Sequence, residues 1–244
     1  MFKRIFDFII SFLLIIIFSP IIIIFSFLIW RQDKKSPFYI ASRVGKNEKL
    51  FKMIKFRSMI FNADKTGVDS TSSNDSRITP LGSLIRRYKI DEIPNFFNII
   101  KGDMSFVGPR PNVKRETDIY TFEEKKLLSV KPGITDFASI VFFDEGDILK
   151  DSKDPDLDYN QLIRPWKSRL GILYVEKNSL FLDFYLIVTT AIAIISKPRA
   201  LRLINSIMKN LKASQQLVDI CLRNDDLKPY SPPGAERIVT SRNL

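Results

Sequence analysis

Two adjacent carboxylates, Asp91 and Glu92, lie in the run Lys89-Ile90-Asp91-Glu92-Ile93-Pro94-Asn95. Paired carboxylates can divide labour at a phosphate. One attacks phosphorus as a nucleophile; the other holds Mg²⁺, which prefers oxygen ligands and bridges substrate phosphates. Cations surround the pair. Arg86 and Arg87 arrive shortly before it, and Arg110 follows in the stiff loop Gly108-Pro109-Arg110-Pro111. The glycine there permits close backbone approach, and a guanidinium can grip a phosphate through two parallel hydrogen bonds. Upstream, the alternating face of Phe51 to Met59 is Phe51, Met53, Lys55, Arg57, Met59. Lys55 and Arg57 therefore project together, either as surface cations with buried stems or as a pair of phosphate contacts. A plainer reading of the carboxylates also exists. Ile93, Phe96, Phe97 and Ile100 form a helical face, so Asp91 can be its N-cap and Glu92 a first-turn residue favoured by the dipole. A helix start would also steady Asp91 as a carboxylate and offer N–H groups to a phosphate.

Composition narrows the chemistry. The chain has 244 residues, enough for one or two domains, with a formal net charge of +11. Such a basic protein seeks nucleic acid, anionic lipid or phosphorylated substrates. It has no histidine, which excludes His-based triads, His general bases and His-metal sites. The single cysteine, Cys221, rules out an internal disulfide, which suits a reducing compartment, and it reads as structural.

The elements that must position these residues begin with an apolar segment. Phe8 to Trp30 carries no charge and exceeds the ~20 residues that cross a bilayer. It is too long for a secretory signal, and no small-residue cleavage pattern follows. Ser19-Pro20 stands near its middle, where proline removes a donor and Ser19 can serve the freed backbone group. Basic residues flank both sides: Lys3 and Arg4 before, Arg31, Lys34 and Lys35 after. A single span puts one basic flank outside; a re-entrant helix-break-helix keeps both inside. The residues leave both shapes open. Asp7 and Trp30 fall at the interface in either.

Phe38 to Val44 and the stretch from Phe51 read as strands around a turn at Gly45-Lys46-Asn47. Asn62 to Ser76 reads as a mobile polar loop, with Asp64, Asp69 and Asp75 solvated. Thr79-Pro80 opens a helix with the stripe Leu81, Leu84, Ile85, Tyr88. Gly102 closes the next one. Lys131-Pro132-Gly133 is a turn, and the acidic stretch Asp144 to Asp158 reads as a solvated loop rather than a second metal site. Arg164-Pro165-Trp166-Lys167 starts an amphipathic helix. Leu180 to Ile195 suits an interfacial or core helix, Leu201 to Leu222 a basic one, and the chain from Pro229 a loosely held tail.

Several motifs in series resemble the bacterial sugar transferase family, the monotopic phosphoglycosyl transferases. They are Phe18-Ser19-Pro20, Lys55 to Met59, the D-E-I-P at Asp91, Lys101 to Ser105, Gly108 to Pro111, and Lys131 to Thr135. The likeness runs over about residues 1–198. It implies an α+β fold with a re-entrant membrane helix broken at Ser19-Pro20, amphipathic interfacial helices and a small β-sheet. It divides the chain into an anchor at 1–35, a catalytic domain at 36–198, and a helical extension with a loose tail at 199–244. It implies transfer of a sugar phosphate from a UDP-sugar to polyprenol phosphate at the cytoplasmic face of the bacterial inner membrane. In that scheme Asp91 attacks the sugar-side phosphorus and expels UMP, and Glu92 ligates Mg²⁺. Arg86 and Arg110 match cationic site positions, and Lys55 and Arg57 match more weakly. Membrane lipid is an expected partner and nucleic acid is not; a homo-oligomer is left open. The family's usual glycine is Asp136 here, within Thr135-Asp136-Phe137-Ala138-Ser139. The rival reading is a non-catalytic membrane-surface module in which Asp91 and Glu92 only cap a helix.

Overall fold

The computed structural model describes residues 2–63 and 70–241, so Asp64 and Asp69 lie outside the described residues. The chain opens with α1 (Phe2–Asp33). A hairpin follows, β1 (Phe38–Val44) against β2 (Leu50–Phe56), antiparallel with Tyr39 opposite Lys55. Then come α2 (Pro80–Arg87), a 3-10 turn over Ile90–Glu92, α3 (Asn95–Lys101) and β3 (Ser105–Val107). α4 (Lys114–Asp118) and a 3-10 segment at Glu124–Ser129 lead to β4 (Gly133–Thr135), which pairs parallel with β3. The rest is helical: α5 (Phe137–Val141), α6 (Glu145–Ile148), α7 (Pro155–Asp158), a π turn at Tyr159–Ile163, α8 (Arg164–Lys177), α9 (Leu180–Ile195), α10 (Lys197–Asn210) and α11 (Gln215–Ile220). The fold is α+β, helix-rich with two small sheets among the described residues.

α1 is helical straight through Pro20. The expected break is a defect in the hydrogen-bond ladder rather than an interruption. Proline cannot donate to the carbonyl four residues back, that of Ile16. The Ser19 hydroxyl donates to that carbonyl instead, at 2.7 Å. Both ends of α1 are tied to one body. Arg4 donates to the carbonyls of Ile99 and Ile100 at the end of α3, the second at 2.6 Å. Lys3 donates to Val107 O at 3.1 Å and Tyr174 Oη at 3.0 Å, and pairs with Asp183. At the far end Asp33 receives both guanidinium arms of Arg57. Between them Phe18 meets Phe96 and Phe25 meets Phe56. The opposite side of α1, including Phe12, Ile17, Ile23 and Phe27, is exposed. Asp7, expected at an interface, is buried and accepts from Phe106 N; a helix that packs along the body brings its polar residues inward.

The main core joins β3 to α5, α8, α9 and α10 through Phe106, Phe137, Leu170, Leu186 and Ile204. Ala200, Met208 and buried Cys221 belong to this same core, so α10 and α11 are integral to the body. The segment from Pro229, expected to be loose, is strapped down. Tyr230 N donates to Gln161 O, Arg169 to Ser231 O, Thr121 Oγ1 to Pro233 O, and Gln161 to Val239 O. Tyr230 also packs on the buried Trp166 ring. Composition alone suggested disorder there, but the exposed backbone finds partners on α8 and its approach. The acidic stretch likewise folds into α6 and α7, where Asp154 caps α7 and Asp156 accepts from Ser70 N. Described parts of the polar loop are pinned too: Ser73 N bonds Gly146 O and Asp75 pairs with Arg77.

Candidate active site

The site is built where β2, the end of α2, the 3-10 turn and the loop after β3 converge. Thr79 caps α2, accepting from Gly82 N at 2.9 Å, as its Thr-Pro start predicts. A side chain at Gly82 would lie 1.8 Å from Ser58 O, so only glycine lets α2 settle on the chain just past β2. Arg86, in the last turn of α2, lines the cavity of the site. Lys89 then adopts a left-handed backbone, φ 56°, unusual for a residue with a side chain. It turns the chain so that Ile90, Asp91 and Glu92 make one separate 3-10 turn.

This geometry corrects the capping expectation. α3 begins at Asn95, its N-cap is Pro94, and no side chain caps it. Asp91 ends up buried, with Oδ1 accepting no hydrogen bond and Oδ2 4.0 Å from Lys55 Nζ. A capping carboxylate would be held ionised by backbone N–H groups. Instead, burial pushes the Asp91 carboxyl up, opposed chiefly by the Lys55 ammonium. Glu92 takes the other role. Arg110 reaches its Oε1 at 2.6 Å and Oε2 at 3.3 Å, and Lys55 reaches Oε1 at 3.3 Å. Burial would raise this carboxyl as well, but Arg110 and Lys55 outweigh it and hold Glu92 well below the usual carboxylate range. Burial lowers the Lys55 ammonium in turn, with Arg110 adding to the effect.

Arg110 owes its place to two interlocked glycines. A side chain at Gly133 would lie 2.2 Å from Gly108 N, and one at Gly108 would lie 2.4 Å from Lys131 O. The K-P-G-I-T and G-P-R-P stretches are thus backbone neighbours, fastened by Gly133 N to Pro109 O and Gly108 N to Thr135 O.

A cavity of about 430 Å³ opens over Asp91, and Lys55, Arg57, Arg86 and Arg110 line it with Asp91. Lys55 and Arg57 do share a side, as their alternation predicts. Arg57, however, forks onto Asp33, which ties α1 to β2. A second chamber of about 180 Å³ adjoins the first, sharing Thr71, Arg86 and Arg110. Its other walls are Lys89, Ser139, Phe142, Phe143, Glu145, Gly146 and Lys167. Glu145 and Lys167 pair with each other in its lining. The sequence reading missed this chamber, because Glu145 looked like one more solvated acid in an acidic stretch. Asp136, the departure from the family pattern, is buried and caps α5 through Ser139 N at 2.7 Å.

Donors for a divalent cation are few. Among the described residues no three His, Cys, Asp or Glu side chains converge. A carboxylate offers about four acceptor positions, and Glu92 uses three on Arg110 and Lys55. Mg²⁺ keeps several waters and is often held by one or two carboxylates plus phosphate oxygens. Glu92 therefore fits as half of a site, which substrate phosphate must complete.

A family model described as bacterial sugar transferase matches residues 1–197. The UDP-N-acetylgalactosamine-undecaprenyl-phosphate N-acetylgalactosaminephosphotransferase of Aeromonas hydrophila is 36% identical over 142 residues, 57% of this chain and 34% of that protein. The exopolysaccharide production protein ExoY of Sinorhizobium fredii is 36% identical over 148 residues, 54% of this chain and 66% of that protein. The undecaprenyl-phosphate galactose phosphotransferase of Salmonella typhimurium is 36% identical over 168 residues, 58% of this chain and 35% of that protein. The chain thus spans about a third of the first and last of these relatives and just under two thirds of the other.

Proposed function

The chain belongs to the bacterial sugar transferase family, and from that premise we propose that it moves a sugar 1-phosphate from a UDP-sugar to polyprenol phosphate, in the initiation of glycan synthesis. Its relatives' names support the class of acceptor, undecaprenyl phosphate. The observation that carries the chemistry is Asp91. It is a buried carboxylate in the lining of a cavity ringed by cations, and its Oδ1 has no hydrogen-bond partner among the described residues. A carboxylate that only capped a helix would accept from a backbone N–H at the helix start, as Asp136 and Asp154 do; α3 starts at Asn95 with Pro94 at its cap, which counts against the non-catalytic reading.

In the first step an Asp91 oxygen attacks the sugar-side phosphorus of the donor. An O–P bond forms, the P–O bond to the bridging oxygen breaks, and UMP leaves with the electron pair. In the second step a phosphate oxygen of the lipid attacks the same phosphorus. The bond to Asp91 breaks, its carboxylate returns, and polyprenyl diphosphate-sugar departs. Arg86, Arg110 and Lys55 offset the charge that gathers between the polyanions. Glu92, held ionised, fixes Arg110 and Lys55 beside the nucleophile. Glu92 is also the residue that would hold Mg²⁺ with the diphosphate; the ion would supply further neutralisation of the leaving phosphate.

The enzyme works at the cytoplasmic face of the bacterial inner membrane, with α1 embedded from one side. Three features support that reading. α1 is long and apolar enough to cross a bilayer, both its ends bind one body, and its outer face is exposed and apolar. Exposed Phe181, Phe184 and Ile195 add an apolar strip on α9. Incubation with UDP-sugars, Mg²⁺ and polyprenol phosphate tests the activity. Wild type releases UMP, and Asp91→Asn loses turnover on the order of 10³-fold or more. Full turnover by Asp91→Asn would defeat the nucleophile assignment.

A further inference from the structure

The second chamber has no part in the chemistry above, yet it opens on two of the same cations. A displacement at phosphorus puts attacker and leaving group roughly in line, and the remaining substituents project sideways. UMP leaves opposite Asp91, and the lipid phosphate must later enter from that side. The sugar is the sideways substituent, and it stays while the other two exchange. It therefore needs a space lateral to Asp91, apart from the path that UMP and lipid share.

The chamber of about 180 Å³ has that placement. Asp91 lines the large cavity and not this one, and Arg86 and Arg110 stand at the junction. At about 180 Å³ it is the smaller of the two chambers, which suits the smaller moiety of the donor. Its walls have the chemistry of a sugar site: a carboxylate, ammonium groups, a hydroxyl and aromatic rings. Glu145 and Lys167 pair within the lining, and Lys89 lies over the Phe143 ring at 4.6 Å. Thr71 and Gly146 line it as well, and Ser73 N bonds Gly146 O.

Resting on the transferase reading, we propose that this chamber holds the donor's sugar ring, a neutral hexose or N-acetylhexosamine. Glu145 accepts from a sugar hydroxyl or amide, Lys167 and Lys89 donate to its oxygens, and the Glu145–Lys167 pair determines which sugar is used. The pair holds both side chains in place before substrate arrives, so a sugar whose hydroxyls do not match them forgoes those hydrogen bonds.

The test is a donor panel of UDP-glucose, UDP-galactose, UDP-N-acetylgalactosamine and UDP-glucuronic acid, with UMP release as readout. Wild type, Glu145→Gln and the double variant Glu145→Gln/Lys167→Gln are compared, the double variant leaving no unpaired charge. Expected is a fall in kcat/KM of about 10- to 100-fold for the preferred donor, with flattened preference among donors. Inhibition by UMP and KM for polyprenol phosphate stay within about twofold in this expectation, since neither ligand enters the chamber. Unaltered preference beside normal wild-type turnover would overturn the chamber assignment alone. So would an equal loss for every donor together with weakened UMP inhibition, which would put the nucleotide there. If wild type releases no UMP from any donor, the transferase reading itself fails and the assignment falls with it.

Discussion

Asp91 and Glu92 are neighbours in sequence with opposite electrostatics, and that difference supports the roles proposed for them. Burial raises the folded carboxyl of Asp91 above its unfolded value, so the folded state holds that proton more tightly. The fold loses stability as pH rises from the unfolded to the folded value, and below the unfolded value the penalty is absent. Glu92 has the other sign. Its contribution is present above its unfolded value and is lost only as pH falls through its depressed folded value. Two results are expected. Asp91→Asn raises Tm at pH 7.5 while losing transfer, because a neutral amide removes a buried charge; each 1 kcal/mol gained would appear as about 2–4 °C. The acid limb of kcat/KM for wild type lies above the ordinary carboxylate range, since Asp91 must ionise to attack. A lower Tm for Asp91→Asn would mean that the carboxylate stabilises the fold. Arg110→Lys keeps a charge but loses the fork onto Glu92; a kcat/KM fall of about 10²-fold is expected from steady-state kinetics.

At the level of elements, the Thr79 cap, the Gly102 stop and the β1–β2 hairpin were legible in the sequence, because each rests on local rules of capping, φ or alternation. The separation of Asp91 from α3 was not. Nothing in residue type announces that Lys89 will take a left-handed turn, and the apolar face of α3 reads the same with or without Asp91 as its cap. The pairing of β3 with β4 was equally hidden, since parallel three-residue strands leave no periodic trace. Gly133 read as part of a turn, and only its close approach to Gly108 shows why it opens a strand instead. Gly133→Ala should therefore cost about 3 kcal/mol or more and carry Arg110 out of place, read as a large Tm loss with failed transfer. In α1, Ser19→Ala strands the Ile16 carbonyl and should cost about 1 kcal/mol in detergent, while Ser19→Thr restores it; chemical denaturation compares the three.

The molecule as a whole is a body held by both ends of its apolar helix and by its C-terminal strap. The family likeness legible in the sequence runs to about residue 198, which left the strap without a role. Its packing on Trp166 and α8 appears only in three dimensions. Ending the chain after Lys228 should lower Tm by several degrees, given ~2–4 °C per kcal/mol, and shift Trp166 emission to the red in a Trp30→Phe background. Unchanged emission would mean that the strap does not cover Trp166. The two-step reaction at Asp91 is tested most directly by the intact mass of the protein after exposure to UDP-sugar and Mg²⁺ without any lipid acceptor. The expected result is a gain equal to one sugar phosphate, located on the peptide containing Asp91, absent from Asp91→Asn and discharged by polyprenol phosphate. UMP release that requires both substrates together, with no adduct at any time, would contradict it.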